Sequence, residues 1–170
     1  GANFSVTGKF DQVGNGTTVL GGNITTADAN IGFNKGVTLS QGVSLSTGGG
    51  STSVGNIVFS ETVDATTAGV ETLALTTGAG NITFTGIAGG TDRLGAVTIN
   101  QAADVTISQA FSAASFNQPN ATAGTGIFTL NGDLDTDVGG VTISSNTVDL
   151  NANITTKAGN DGTTGNGLVT

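Results

Sequence analysis

Gly55-Asn56-Ile57-Val58-Phe59 returns 25 residues later as Gly80-Asn81-Ile82-Thr83-Phe84, and Ala29-Asn30-Ile31-Gly32-Phe33 precedes both in a weaker form. A short glycine-bounded strand that recurs at intervals of roughly 20–50 residues is typical of repeat architectures. In such proteins each unit contacts mainly its neighbours along the chain, so equivalent residues lie over one another. The recurrence therefore predicts a stack of similar layers rather than a compact globular domain.

The composition favours strands over helices and over disorder. The 170 residues include 29 Gly, one Pro and only 9% charged residues, with no Cys, Met, Trp, Tyr or His. Disorder requires low hydrophobicity and high net charge per residue, but 36% of the residues are hydrophobic and the mean hydropathy is +0.15. The apolar residues are mostly Val, Ile, Leu and Phe among threonines, which are strand-forming types. We therefore expect an all-β protein.

Charge and cysteine content exclude several classes of function. The net charge is −8 and the pI about 4.1, with only four cationic side chains. A nucleic-acid-binding face needs clustered Lys and Arg, so we expect no nucleic-acid partner. The absence of cysteine excludes disulfides and Cys-ligated metals. No stretch approaches the roughly 18 apolar residues of a membrane helix. An acidic, cysteine-free, Thr- and Gly-rich chain favours an extracellular or bacterial cell-surface location.

Alternating apolar and polar residues between Gly, Asn and Asp turns mark short half-buried strands. Side chains alternate across a strand, so each apolar pair is expected to face inward and its Thr, Ser or Asn neighbours outward. The predicted inward pairs are Phe4/Val6, Ile31/Phe33, Val37/Leu39, Val43/Leu45, Ile57/Phe59, Leu73/Leu75, Ile82/Phe84, Val97/Ile99, Val105/Ile107, Phe128/Leu130, Val141/Ile143 and Val148/Leu150.

Two architectures fit such strands, an antiparallel sandwich and a parallel β-helix. The repeated Gly-Asn-Ile-x-Phe favours the β-helix, because there the same strand motif stacks on itself in the next coil. We predict a parallel β-helix (β-solenoid) of short strands, right-handed by the crossover rule. Stacked asparagines at the turns would form amide ladders, and Phe59 would stack on Phe84 in an internal aromatic column. Neither end shows charged or proline-rich guards, so uncapped ends are expected.

The domain prediction is a single β-solenoid segment over residues 1–170, with an irregular end at 1–53 and clearer repeats at 54–170. Gly1-Ala2-Asn3-Phe4 has neither a basic nor an apolar signal region, so any signal peptide lies upstream. Gly167-Leu168-Val169-Thr170 has the pattern of another strand opening. The chain is therefore interpreted as an excerpt, or a repeating subunit, of a longer assembly.

The stretch from Val54 to Gly159 resembles the β-strand repeats of large secreted bacterial surface proteins, the filamentous-haemagglutinin-like adhesins and autotransporter-type passengers. The resemblance rests on residues 55–59, 68–76 (Ala-Gly-Val-Glu-Thr-Leu-Ala-Leu-Thr), 78–86 (Gly-Ala-Gly-Asn-Ile-Thr-Phe-Thr-Gly), 94–99, 113–116, 124–132 and 153–156. It implies a surface-exposed or fibre-forming β-helix without catalysis, and these low-complexity motifs do not specify any one activity.

Asp133-Leu134-Asp135-Thr136-Asp137 is the densest cluster of charge in the sequence. Oxygen ligands at alternate positions are compatible with calcium binding. However, no Glu follows at EF-hand spacing, and the Gly-rich nonapeptide of calcium-binding β-helices is missing. The competing interpretation is a solvated outward face with Leu134 inward, which is the usual role of a charge run. Accordingly no metal site is assigned, and calcium binding by Asp133, Asp135 and Asp137 stays open.

The remaining polar motifs have plain structural interpretations. Ala158-Gly159-Asn160-Asp161-Gly162 is a turn, and Arg93 with Asp92 and Lys9 with Asp11 are expected to be weak surface pairs. Tripeptides of the N-glycosylation pattern begin at Asn3, Asn15, Asn23, Asn81, Asn120 and Asn153. In a chain rich in Asn and Thr they are expected by chance.

Catalysis lacks its usual groups. Without His or Cys, a Ser nucleophile has no normal base, and a carboxylate pair for polysaccharide cleavage would lack aromatic platforms. We therefore expect no enzyme, no catalytic residue and no cofactor. The favoured function is a non-catalytic structural rod or fibre segment of an adhesin, surface layer or matrix filament, which stacks head-to-tail on neighbouring copies or adjacent repeats. The alternative is a surface-binding module for glycan or ice that uses outward Thr and Asn rows, of which Thr83-Phe84-Thr85 has suitable spacing.

Overall fold

The computed structural model describes residues 1–48, 52–119, 126–137 and 139–157, and within these ranges the regular structure is entirely β. Most strands are three or four residues long, and two have eight. In chain order they are β1 Phe4–Val6, β2 Phe10–Gln12, β3 Thr18–Leu20, β4 Ile24–Thr26, β5 Ile31–Phe33, β6 Val37–Leu39, β7 Val43–Ser46, β8 Ile57–Phe59, β9 Val63–Ala65, β10 Leu73–Thr76, β11 Ile82–Phe84, β12 Leu94–Gln101, β13 Val105–Ile107, β14 Phe111–Gln118, β15 Ile127–Leu130, β16 Leu134–Thr136, β17 Val141–Ile143, β18 Thr147–Leu150 and β19 Ile154–Thr156.

The chain forms a parallel β-solenoid of about 6 turns, which confirms the predicted fold class. Successive strands belong to different sheets, except β16 and β17, and each strand pairs in parallel with its counterpart one turn away. A nine-stranded sheet has the order β1-β4-β7-β10-β12-β14-β16-β19, with β17 also on β14. A seven-stranded sheet has the order β18-β15-β13-β11-β8-β5-β2, and a three-stranded sheet the order β3-β6-β9.

The repeated pentapeptide lies in register across three coils of the seven-stranded sheet. Ile82 is the Cα partner of Ile57, Phe84 is the partner of Phe59, and β5 pairs with β8 in the same register. Identical side chains therefore stack on the same column, as the recurrence in the sequence predicts. Residues 1–48 contain seven strands in the same three-sheet order, and these strands pair in parallel from coil to coil as the later described ones do.

The core is a single apolar filling between the sheets, and a phenylalanine column runs along it. The eight Phe residues of the chain form a continuous series of ring contacts, with centroids 4.9–5.6 Å apart, in the order Phe4, Phe10, Phe33, Phe59, Phe84, Phe111, Phe116 and Phe128. Phe59 and Phe84 are stacked at 4.9 Å and 10°, as predicted. Offset stacks and edge-to-face pairs are the favourable geometries of aromatic rings.

An amide ladder runs along the corner before the seven-stranded sheet, which confirms the prediction for stacked asparagines. The side-chain oxygen of Asn30 accepts the backbone N–H of Asn56 at 2.8 Å, and Asn56 accepts that of Asn81 at 2.8 Å. Asn81 in turn accepts the N–H of Asp104 at 3.1 Å, and Asp104 accepts that of Ile127 at 3.0 Å. Each rung gives a corner amide a partner that the strand ladder does not provide.

The corner between the nine- and three-stranded sheets disappears in the later coils. Isolated bridges carry the three-stranded sheet from Val63 through Ala88 to Phe111, the first residue of β14. Strand β14 then pairs with β16 through its first half and with β17 through its second half. Eight residues of continuous strand therefore span what were two faces and a turn in the first coils.

The predicted inward pairs lie in strands, but their burial depends on the coil. In the middle coils they are buried, whereas Phe4, Val148 and Leu150 are 46%, 41% and 53% exposed. These residues belong to the first and last described coils, where one side of the layer has no described neighbour. The inward position of an apolar residue thus gives burial only when a further coil covers it.

Candidate functional surfaces

The acidic cluster faces outward and is bridged by cations. Leu134 is fully buried, whereas Asp135 in the middle of β16 has a side chain 25% exposed. This alternation confirms the predicted outward face. The Arg93 Nη2 and Lys157 Nζ atoms each lie 2.6 Å from the same Asp135 oxygen, Oδ2. Arg93 Nη1 lies 3.7 Å from Asp137 Oδ1.

Arg93 acts as a clamp between distant coils. Besides the Asp135 carboxylate, its Nη1 donates to the carbonyl oxygens of Ala113 at 2.8 Å and of Asp135 at 3.0 Å. Its guanidinium thereby joins segments 20 and 42 residues away along the chain. Fixed, forked donors make Arg suited to such multiple contacts. The sequence interpretation that paired Arg93 with its neighbour Asp92 is therefore wrong, because the guanidinium crosses the coils instead.

The two cations determine how Asp135 titrates. Partial burial raises the pKa of the Asp135 carboxyl, but the hydrogen bonds and charges of Lys157 and Arg93 together outweigh it, so that this pKa lies below its ordinary value. Asp133 is used differently: its Oδ1 accepts the backbone N–H of Asn153 at 2.9 Å. Within the described ranges no group of three acidic side chains has the arrangement of a metal site. Asp133 Oδ1 and Asp135 Oδ2 are thus engaged in cross-coil contacts, whereas Asp135 Oδ1 is buried without a hydrogen-bond partner among the described residues.

The other cations are also paired with acids. Lys35 Nζ lies 2.7 Å from Glu61 on the next coil, and that hydrogen bond lowers the pKa of Glu61. Lys9 lies 2.6 Å from Asp11, as expected from the sequence, and the hydrogen bond raises the pKa of Lys9. All four Lys and Arg residues of the chain thus form ion pairs. The more exposed Lys9 and Lys35 pairs stabilise little individually. Together the ion pairs neutralise the positive charge of the surface.

Hydroxyl rows cover the middle of the seven-stranded sheet. Thr83, Thr106 and Thr129 are Cα partners on consecutive coils and are central, outward residues of β11, β13 and β15. Thr85 and Ser108 form a second row beside them, since each follows its strand and donates its N–H to the preceding coil. Neighbouring strands lie about 4.8 Å apart and alternate residues about 6.6 Å. The first row ends at Val58 on one side and at Asp149 on the other, whereas the second row continues through Ser60 on one side and Asn131 on the other.

The first coil presents a strand edge. Among the described residues, β1, β2 and β3 pair only with β4, β5 and β6. The N–H groups of Phe4, Phe10 and Thr18 donate towards the second coil, to the carbonyls of Asn23, Asn30 and Gly36. Because backbone groups alternate in direction along a parallel strand, the N–H and C=O groups of the central residues Ser5, Asp11 and Val19 point away from the second coil.

Most glycosylation-pattern asparagines are engaged in the framework. Asn3 accepts the N–H of Asn23, and Asn23 accepts that of Ser44. Asn81 belongs to the amide ladder, and the Asn153 side chain donates to Asp133. Asn15 lies in an exposed turn. Asn120 and the predicted turn Ala158–Gly162 lie outside the described residues.

Neither a cleft nor a membrane-spanning helix accompanies these surfaces. No pocket opens in the part of the chain that the structure describes. Nor do residues 1–48, 52–119, 126–137 and 139–157 contain a helix long and apolar enough to cross a membrane.

Comparison with known proteins identifies no family for this chain. No protein-family model, curated protein or solved structure matches the chain. The assignment to the β-solenoid class therefore rests on the strand pairing of the chain itself.

Proposed function

We propose that this chain is a non-catalytic structural segment of an extracellular rod or fibre, of the kind found in bacterial surface adhesins, surface layers or matrix filaments. The observation that carries the proposal is the parallel, in-register stacking of equivalent strands through about 6 turns. Each coil is stabilised by contact with the next coil, so the fold favours the addition of further coils and an elongated stack.

The edge of the first coil supports growth by addition of further coils. Ser5, Asp11 and Val19 offer backbone groups in the same direction. Phe4, the end of the aromatic column, is 46% exposed. Unpaired strand edges recruit other strands. The partner is a further β-solenoid coil, supplied by a neighbouring copy or by adjacent repeats, in a head-to-tail contact that does not close on itself.

The composition supports the absence of catalysis and the extracellular location. The chain has no His or Cys to act as base or nucleophile, and its clustered acids serve cross-coil contacts. Its resemblance to filamentous-haemagglutinin-like repeats, together with its acidic, cysteine-free surface, favours secretion. The pairing of every cation with an acid leaves no basic face for nucleic acid.

Blocking the open edge tests self-assembly directly. Proline replaces the central residues of the first three strands in a variant carrying Ser5→Pro, Asp11→Pro and Val19→Pro. These substitutions remove N–H groups that point away from the second coil, and proline is tolerated at edge strands. Circular dichroism checks that the variant remains folded. A variant with Ser5→Ala, Asp11→Asn and Val19→Thr keeps the N–H groups and is the matched control.

The readouts are negative-stain imaging and sedimentation over a range of concentrations. We expect the unmodified chain and the control to form rods that lengthen with concentration, while the proline variant stays as short particles. Compact, monodisperse particles for all three chains at high concentration would contradict head-to-tail assembly of copies. Antibody labelling of intact producing cells tests surface exposure separately.

The hydroxyl rows favour a second candidate, binding to a regular surface. Thr83, Thr106 and Thr129 form an uncharged column beside Thr85 and Ser108. Glycan binding is less supported than ice binding, because sugar rings pack on aromatic platforms and most Phe rings lie inside the solenoid.

Thermal hysteresis tests whether the hydroxyl rows bind ice. Thr106→Lys places a long charge in the centre of the rows, and Thr98→Lys on the nine-stranded sheet is the matched control. Ice binding predicts hysteresis that Thr106→Lys abolishes and Thr98→Lys retains. The unmodified chain showing no hysteresis would eliminate this candidate.

A further inference from the structure

Two Asn-Gly dipeptides in the described part of the chain have exposed asparagines but differ in the contacts that hold them. Asn15-Gly16 forms the tip of the turn between β2 and β3, where residues 13–17 are exposed. Asn131-Gly132 follows β15 and packs against the preceding coil. Asn-Gly is the dipeptide most able to cyclise, since glycine has no Cβ to obstruct the approach of its nitrogen.

The Asn15 turn is open around the asparagine side chain and the two flanking glycines. Among the described residues, neither the Asn15 side-chain amide nor the Gly16 N–H has a hydrogen-bond partner. A Cβ at Gly14 or at Gly16 would meet no atom within 4 Å. The turn is held from below, where Gln12 Nε2 donates to the carbonyls of Gly14 and Gly16 at 2.9 Å each.

The Asn131 site is exposed, but three contacts restrain it. The Asn131 Oδ1 atom accepts from Asn151 Nδ2 at 3.0 Å, and its backbone N–H donates to Ile107 at 2.8 Å. A Cβ at Gly132 would lie 2.1 Å from the carbonyl carbon of Gln109, so this glycine is in close contact with the backbone below it. Cyclisation there requires the coil to open first.

We infer that Asn15 is a site of spontaneous self-modification, through a succinimide, to aspartate and isoaspartate. The Gly16 nitrogen loses its proton and forms a bond to Cγ of Asn15, and the bond from Cγ to the side-chain nitrogen breaks with release of ammonia. One water then opens the ring at either carbonyl. The product carries one more negative charge, and in the isoaspartate form the backbone runs through the side-chain carboxyl.

Peptide mapping tests the inference on the intact chain, incubated under native conditions at mildly alkaline pH. Trypsin cleaves after Lys9, Lys35, Arg93 and Lys157. It therefore places Asn15 in the peptide 10–35, Asn131 in 94–157, and the third Asn-Gly, Asn166-Gly167 outside the described residues, in 158–170. Fragment mass spectra locate the converted residue, and enzymatic methylation reports isoaspartate.

We expect Asn15 to convert at least roughly tenfold faster than Asn131, the factor that a local opening free energy of about 1.4 kcal/mol produces. In urea the two rates should converge, because both sites are then unfolded Asn-Gly. Gly16→Ala should slow conversion at Asn15 while the thermal unfolding midpoint is retained or slightly raised. Equal native rates at Asn15 and Asn131, or an unchanged rate in Gly16→Ala, would overturn the inference.

Discussion

Removing one ring from the middle of the aromatic column measures how strongly the coils depend on one another. Phe84 is fully buried, stacks on Phe59 at 4.9 Å and meets Phe111 edge-on at 5.0 Å. A Phe→Ala change in a core costs about 3–5 kcal/mol, and each aromatic pair contributes about 0.5–1.5 kcal/mol beyond area burial. With two ring partners lost, Phe84→Ala should cost about 4–5 kcal/mol.

The control is the same substitution at the end of the column. Phe4 is 46% exposed and has one ring partner, Phe10, at 5.6 Å. Full burial of a Phe side chain stabilises by about 1.5–3 kcal/mol, so Phe4→Ala should cost about 1–2 kcal/mol. Urea unfolding followed by circular dichroism gives both values, provided that the m-values agree. A cost for Phe84→Ala within about 1 kcal/mol of that for Phe4→Ala would refute a column that transmits stability between layers.

Three further predictions concern the corners and the ion pairs. Gly80→Ala should destabilise the fold by more than about 1 kcal/mol in urea unfolding, because its Cβ would lie 2.0 Å from the carbonyl oxygen of Gly55. The control Gly16→Ala has open space around it and should be neutral or stabilising by about 0.4–1 kcal/mol. Equal effects of the two substitutions would contradict the close stacking of the coils at Gly80. Because the pKa of Asp135 is lowered in the folded state, its contribution should be present above the ordinary aspartate pKa of about 3.9 and lost as the pH falls further. The free energy of unfolding, measured as a function of pH, should therefore fall less at acidic pH in Asp135→Asn than in the unmodified chain. Millimolar calcium should leave the melting temperature unchanged, since Arg93 already binds the Asp135 carboxylate; a rise in melting temperature would contradict this assignment.

The architecture was predictable because the repeat itself is encoded residue by residue. Ile57/Phe59 and Ile82/Phe84 supply the same shape to the same position in neighbouring coils, and the asparagine before each pair supplies the corner rung. The core of the seven-stranded sheet follows from that pattern alone. The right-handed sense of the coil, and the predicted partners of the chain (neighbouring copies, adjacent repeats or glycans), stay predictions.

Several strands, such as β4 and β9, are absent from the predicted inward pairs, and they have a common physical feature. Several inward positions hold threonine or alanine instead of a large apolar residue, as in Ile24/Thr26, Val63/Ala65 and Leu134/Thr136. Thr26 and Thr136 are nevertheless buried, because the coils above and below cover them. Alternation of hydrophobicity cannot detect a strand whose inward residue is polar.

The cross-coil clamp at Arg93 lay beyond sequence reasoning for a different reason. Its partner Asp135 is 42 residues away, and the intervals between equivalent residues vary from coil to coil. The Cα partners are 25 residues apart at Ile57 and Ile82 but 20 apart at Leu134 and Ile154. Without the register, no spacing rule selects Asp135 over the adjacent Asp92. Its location beside the merged strand β14 became visible only in the structure.

The parallel pairing of every described strand also determines how the molecule responds to tension. Hydrogen bonds between coils run along the rod, so a pull on the chain peels the terminal coil before it loads the next one. A folded coil adds about 4.8 Å to the length, whereas the 25 residues between Ile57 and Ile82 extend to about 85 Å once released. We therefore expect a solenoid pulled in this way to lengthen in discrete steps and to dissipate energy at each step, as an extensible tether would.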